Sequence, residues 1–424
     1  MNRSSQHRLA TLFGASAVQM ASNAVAALIA TRALGPADRG VMVLGLTVGS
    51  IIGMAGGLGT GTALRSRLPV AAGDHARRDL LAAYTWCSIG AAVLAPVVAI
   101  AAMAGSAGFI DPALGTTPFL LATASFTVAQ TLLTQVVEAW FADGRFRHGS
   151  IAAAAMSVSG LALVAVALAT SRSVAVVLSA QAAGMLVVAL FELGALYRAG
   201  LIVLPYPGMH AVRCLVCRGL PALGLTVGMV LTLRADRYLL GALAGTAAVG
   251  VYSLAATVSE VSRILPTALG QLFLRDVSMG RGAARLARVS RFAIAAATLS
   301  GALVLAGGWL LIVPIFGAEF AGARELLLVL VLAEVCFAPY AISSRGLLGG
   351  GWARTACVFG IGGSIAALAV YAVAASIGGA FGVAVGSAIM YGALSAVSWV
   401  LLEKHLTRDK PLSLAVTGPN GAQP

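Results

Sequence analysis

Apolar runs of about 20 residues follow one another along the chain, separated by short breaks rich in glycine, proline or charge. Wound as an α-helix at about 1.5 Å per residue, such a run crosses a hydrocarbon layer of about 30 Å. The runs lie near 9–34, 40–63, 80–106, 117–141, 149–171, 174–197, 219–243, 247–274, 292–314, 325–348, 355–376 and 379–402. The pattern therefore predicts an all-α polytopic membrane protein with about twelve transmembrane helices. The first run, after "MNRSSQHR", is longer than the apolar core of about 7–15 residues in a signal peptide, so it reads as a retained first span.

The polar breaks alternate in character. One set is basic: the N-terminus with Arg3 and Arg8, "RSRLPVAAGDHARRD" from Arg65, "DGRFRH" from Asp143, the stretch from Arg198 to Arg218, "RDVSMGRGAARLARVSR" from Arg275, the turn at Gly351–Arg354, and "EKHLTRDK" from Glu403. The other set is short and poor in arginine: "GPADR", "FIDPALGTTP", "SRS", "GTAA", "FGAEFAGARE" and "SIGG". Basic loops are retained on the cytoplasmic side, so both termini are expected there, in the inner membrane of a bacterium. The outer breaks are too short to fold into a catalytic domain. That argues against an enzyme, including a membrane-embedded polysaccharide polymerase or glycosyltransferase.

Composition agrees with this picture. Of all residues 59% are hydrophobic and 10% charged, and the mean hydropathy is +0.93; soluble domains carry about 25% charged residues. The formal net charge of +13 comes almost wholly from arginine, Lys404 and Lys410 being the only lysines. It is explained by the basic loops, and no nucleic-acid partner is expected. Cys214 and Cys217 form a CxxC, but no second pair or histidine motif completes a metal site, and Cys87, Cys336 and Cys357 lie in apolar runs. Neither a metal nor another cofactor is expected.

An internal repeat organises the spans. "LGPADRGVMVLGLTV" from Leu34 aligns with "AGTAAVGVYSLAATV" from Ala244 at an offset of 210, pairing Gly35 with Gly245, Gly40 with Gly250 and Thr47 with Thr257. The same register pairs Arg8 with Arg218, Gly14 with Gly224 and Arg65 with Arg275. An even number of helices separates the copies, so both halves enter the membrane in the same direction. This predicts two parallel six-helix repeats around a central cavity. The expected lobes are 1–198 and 219–403, with a cytosolic linker at 199–218 and a disordered tail at 404–424.

Charges inside the spans are the candidate chemistry. "LTLRADRYLL" in span 7 carries Arg234, Asp236 and Arg237, and span 8 carries Glu260 and Arg263 on one helical face. Five such charges facing lipid would cost roughly 10–15 kcal/mol, so they should face a cavity or one another. Their repeat partners, Ala24, Ala26, Ala27, Ser50 and Gly53, are neutral, so the second lobe supplies the charged wall. Arginines outnumber acids there, and a guanidinium matches phosphate oxygens two by two. The other reading is structural: Arg237 snorkels to headgroups, and Glu260 and Arg263 only pair with each other. Asn23 and Gln19 on span 1 are polar candidates for the cavity or for helix–helix contact. Glu334 and Glu138 are candidate proton carriers, the latter and Glu192 lying near an interface. Gly45, Gly49, Gly53, Gly57 and Gly61 recur every four residues on span 2, a ridge for close helix packing.

"RALGPADRG" at Arg32–Gly40, "GLGTGTALR" at Gly57–Arg65 and "DRYLLGALAGTAAVGVYSLA" at Asp236–Ala255 resemble polysaccharide transporters of the multidrug/oligosaccharidyl-lipid/polysaccharide flippase superfamily. "FGAEFAGA" at Phe316–Ala323 and "GLLGGGWAR" at Gly346–Arg354 follow the later part of that pattern, whereas Leu274 stands where the family often has proline. The resemblance implies a V of two six-helix bundles with spans 1, 2, 7 and 8 around the cavity. It implies flipping of a polyprenyl-pyrophosphate-linked oligosaccharide between leaflets, with Arg32, Arg65, Arg234, Asp236, Arg237, Glu260 and Arg263 as charged positions on those spans. The implied partners are the anionic lipid-linked glycan, membrane lipids, a coupling proton or sodium ion, and polysaccharide-assembly proteins. A multidrug/cation antiporter of the same superfamily would favour acidic cavity residues. A lipid II flippase usually carries two further helices. A major-facilitator carrier needs a basic glycine motif between spans 2 and 3 that this chain lacks.

Overall fold

The computed structural model describes residues 3–71, 73–278, 280 and 282–408. Its helices are α1 (Arg3–Gly56), α2 (Thr60–Arg67), α3 (Gly73–Ser106), α4 (Thr117–Ala142), α5 (Phe146–Thr170), α6 (Val174–Arg198), α7 (Met209–Ala244), α8 (Thr246–Ser259), α9 (Ile264–Ser278), α10 (Gly282–Phe316), α11 (Ala323–Gly349) and α12 (Ala353–Arg408). No strand occurs among the described residues. Nine stretches there are long and apolar enough to cross a membrane. Two of them, α1 and α12, bend at Gly35 and Gly379 and each traverse twice, and α8 with α9 makes one more traverse, which gives twelve.

The bends follow from local chemistry. Gly35 (φ 74°, ψ 173°) and Gly245 (φ 84°, ψ 170°) sit at equivalent places in the two repeats and share one backbone conformation. A side chain disfavours that region, and Pro36 then starts the next helix with its φ already set. Span 8, expected as one helix over 247–274, is instead broken by a 3-10 turn at Glu260–Arg263. Pro266 explains the break, because it has no N–H for the carbonyl of Ser262 and its ring crowds that carbonyl. Span 2, expected as one helix to residue 63, also breaks, with Leu58 and Gly59 at positive φ before α2 begins. The expected linker 199–218 is partly helical, since α7 starts at Met209. The expected tail is helical as far as Arg408, and the rest of it lies outside the described residues.

The two six-span repeats comprise α1–α6 and α7–α12, one lobe each. The glycine ridge lays span 2 along α4: Gly45 faces Phe119 and Thr123, Gly49 faces Phe126 and Thr127, and Gly53 faces Gln130. In the turn that forms the break Gly57 faces Gln135, and past it Gly61 faces Glu138. In the second lobe Gly228 lies on Gly360, which lets α7 and α12 touch backbone to backbone.

The lobes meet chiefly where α1 crosses α8. Gly40 lies against the carbonyl of Thr246, and Gly250 lies against the carbonyl of Pro36. Each pair maps onto the other by the 210-residue offset, so the seam is reciprocal, as a pseudo-two-fold axis along the membrane normal requires. Around it Val41, Leu44 and Val48 share one buried core with Leu240, Val249 and Tyr252. At the arginine-rich end the cores separate. One gathers Leu64, Leu81, Tyr84 and Trp140 with Leu215 at the start of α7, and another gathers Leu225, Phe273, Leu286 and Ala338. The two lobes share one core at the arginine-poor end, while at the other the cores divide and the contact is that of α7 with α2 and α3.

Candidate functional site

The span 8 break places Glu260 and Arg263 opposite α7 on one side and α11 on the other. Arg237 Nη2 donates to Glu260 Oε1 at 2.6 Å, and Arg263 Nη2 reaches the same oxygen at 3.3 Å. Arg263 Nη1 pairs with Glu334 Oε1 at 3.2 Å. The result is a chain of alternating charge, Arg237–Glu260–Arg263–Glu334, tying spans 7, 8 and 10. The Arg263 guanidinium also stands over the Phe337 ring, 5.4 Å from its centroid. Breaking a buried pair by removing one partner costs about 3–5 kcal/mol, so every member constrains the next.

Exposure is uneven along this chain. The side chain of Glu334 is 5% exposed and that of Arg237 7%, but Glu260 is 26% exposed. Glu260 is therefore the member within reach of solvent or a ligand. Arg234 is half-buried, lies in electrostatic range of Arg237, Glu260, Arg263 and Asp236, and forms no ion pair among the described residues. Its fork of donors is unused. Asp236 turns the other way, into the second lobe: Tyr252 Oη donates to its Oδ2 at 2.6 Å, and the Arg237 amide donates to its Oδ1. Asp236 thus anchors the charged turn of α7 against α8. Glu334 Oε2 and Arg237 Nε are buried without a partner.

Several sequence candidates lie elsewhere. Arg32 donates to the carbonyl of Ile315 at 2.9 Å, capping the end of α10 across the lobe boundary, and so is not gathered into the cluster. Arg65 pairs with Glu138 at 3.3 Å over the Phe141 ring, near the arginine-rich end. Asn23 is exposed and Gln19 half-buried on α1. Glu192 accepts from Trp140 Nε1 and lies 3.2 Å from His148. Cys214 and Cys217 are free thiols on the first turns of α7.

Glu334 adds an acid from span 10, so Arg234, Arg237 and Arg263 lie with Glu260 and Glu334, while Asp236 is turned toward Tyr252. Two further arginines inside the structure were passed over in the sequence. Arg39, counted with the outer "GPADR" break, is 2% exposed at the seam and in electrostatic range of Arg237, and its Nε and Nη1 lack partners. Arg345, inside the span 10 run, approaches Gly270 and lies in electrostatic range of Arg65. The signal for Arg39 was its place four residues after Gly35, within the first turn of a helix.

Further polar bonds tie the lobes at the arginine-poor end: Thr246 Oγ1 to Asp111 Oδ2 at 3.0 Å, and Ser106 to Tyr238 between their hydroxyls at 2.5 Å. At the arginine-rich end Gly59 and Gly219 touch backbone to backbone, so the separation there is incomplete.

The fold matches known transporters. An inward-facing multidrug resistance MATE family transporter of the MOP superfamily superposes with a TM-score of 0.72 at 16% identity, covering 93% of this chain and 96% of the other. An outward-facing MATE family transporter gives 0.61 at 15%, covering 97% and 96%. The lipid II flippase MurJ in an inward closed conformation gives 0.70 at 10%, covering 96% and 93%. No curated protein matches by sequence. The fold is thus that of the MOP-superfamily transporters. The family described as polysaccharide biosynthesis protein matches residues 10–272, more than half of the chain and all of the repeat seam, so the chain belongs to the polysaccharide biosynthesis protein family.

Proposed function

We propose that this protein flips a polyprenyl-pyrophosphate-linked oligosaccharide across the bacterial inner membrane by alternating access, for export or cell-surface polysaccharide assembly. The observation that carries this reading is the wall built from Arg234, Arg237 and Arg263, one of whose guanidinium groups is unpaired and two of which share Glu260. A pyrophosphate offers several oxygens to such a wall. It would displace the Glu260 carboxylate, the more exposed of the two glutamates paired with these arginines, and draw in Arg234. Glu260 is then a place-holding anion that keeps the arginines aligned while the site is empty. Because Glu260 starts the 3-10 turn of span 8, its release loosens the bend in that span and links binding to movement. Glu334, with one unpartnered oxygen, is the candidate carrier of a coupling proton or the contact for a sodium ion.

The lobes correspond to residues 1–198 and 219–403, with the arginine-rich end and both termini in the cytoplasm. With the arginine-poor end joined, this reading takes the arrangement as inward-facing. Reconstituted into liposomes with a fluorescent lipid-linked oligosaccharide, the protein should move the lipid between leaflets. R234A and R263A should each lower that rate at least about tenfold while the protein stays folded, as one charge-assisted contact is worth about 1.5–3 kcal/mol. Unimpaired flipping in both variants would falsify the assignment. The two carboxylates set among the arginines, Glu260 and Glu334, favour one second reading, a cation antiporter like the MATE transporters of the same fold. Proton-driven uptake of an organic cation in the same vesicles, without lipid movement, would decide for it.

A further inference from the structure

Outside the central site, an outward-facing groove of about 440 Å³ runs between α10, α11 and α12 in the arginine-rich half of the second lobe. Ser290, Arg291 and Ile294 line it from α10, Pro339 from α11, and Ser395 and Trp399 from α12. Its surroundings are apolar and exposed, with Phe292, Val397 and Val400 pointing outward, so this face meets the hydrocarbon of the membrane.

The polar groups in the groove are not equivalent. Ser395 is fully used. Its hydroxyl accepts from the Tyr340 amide and donates to the Cys336 carbonyl, bridging the helix bond beside Pro339. Ser290 is spare: it is 2% exposed, and its hydroxyl has no partner. Arg291 is exposed, bonds only its Nε back to the Ala287 carbonyl, and has no acidic partner among the described residues. Arg288, one turn nearer the helix start, is also exposed and without an acid, whereas Arg285 is held by Asp276 at 2.9 Å.

Arg288 and Arg291 stand at the arginine-rich edge of span 9, and basic pockets between spans at that level take anionic lipid headgroups. We infer that this groove is a binding site for one anionic glycerophospholipid, its phosphate held by Arg291, Arg288 and the Ser290 hydroxyl and its acyl chain lying along Ile294 and Pro339. Trp399 sits where an indole ring packs at the level of the headgroups. The site is separate from the substrate wall, and neither depends on the other.

The test is native mass spectrometry of the full chain in detergent, titrated with dioleoyl-phosphatidylglycerol or dioleoyl-phosphatidylcholine. The intact protein should bind the anionic lipid at least about tenfold more tightly, and the double variant R288Q/R291Q should lose that preference. S290A should weaken it by a smaller factor, while R78Q and R198Q, exposed arginines of the other lobe, leave it unchanged. Equal binding of the two lipids, or retained preference in R288Q/R291Q, would overturn the site and leave annular lipid only. Because no transport is measured, failure here is distinguishable from failure of the flippase reading.

Discussion

At the scale of the residue, Glu260 carries the most specific expectation. It competes with any incoming anion for Arg237 and Arg263, which it holds at 2.6 and 3.3 Å. E260Q keeps the shape and removes the charge. The apparent KM for the lipid-linked substrate should fall about tenfold, the worth of a charge-assisted hydrogen bond no longer contested, and turnover should fall because release slows. A rise in KM would mean instead that Glu260 arranges the arginines. The presence of charge in spans 7 and 8 was legible in the sequence, because intramembrane charge is rare and stands out. Its pairing was not. Glu334 lies 71 residues after Arg263 in the chain, and only the fold brings span 10 to span 8. Arg39 was misread for a related reason: a basic residue beside a short break looks solvated until the second lobe covers it.

At the scale of the element, run length and loop charge give twelve traverses, while the breaks within spans escape such counting. A hydropathy run has no marker for a 3-10 turn. Pro266 was the available signal, since proline disturbs the bond to the residue four before it. P266A should let α8 and α9 join as one regular helix through residues 260–263. Replacing proline by alanine in a helix interior is worth up to about 3 kcal/mol, so the thermal midpoint in detergent should rise. If the bend is what links Glu260 to movement, flipping turnover should drop several-fold in the same protein. A stabilised variant with full turnover would show that the break is only architectural. The glycine ridge lies close against α4, yet Gly57 sits in the turn that breaks span 2 and Gly61 in the separate helix beyond it.

At the scale of the whole molecule, the reciprocal seam turns the repeat into a test of alternating access. Gly40 against Thr246 and Gly250 against Pro36 are one contact used twice, and together with the core around Leu44 and Leu240 they hold the arginine-poor end shut. A side chain at either glycine would meet backbone rather than a yielding side chain, so the lobes cannot close there without separating. G40L and G250L should therefore have the same effect despite lying in different lobes. Both should abolish flipping and hold the arginine-poor end open. Arg39→Cys, buried at the seam in the closed arrangement, reports the change directly. Its alkylation by a membrane-impermeant maleimide should be slow alone and at least about tenfold faster when combined with G250L, a shift of about 1.4 kcal/mol in the opening equilibrium. Native cysteines supply the background rate and are replaced by alanine beforehand. If G250L flips lipid normally, or leaves the maleimide rate at Arg39→Cys unchanged, the seam does not gate transport. The pseudo-two-fold contact would then be only an architectural join between the lobes.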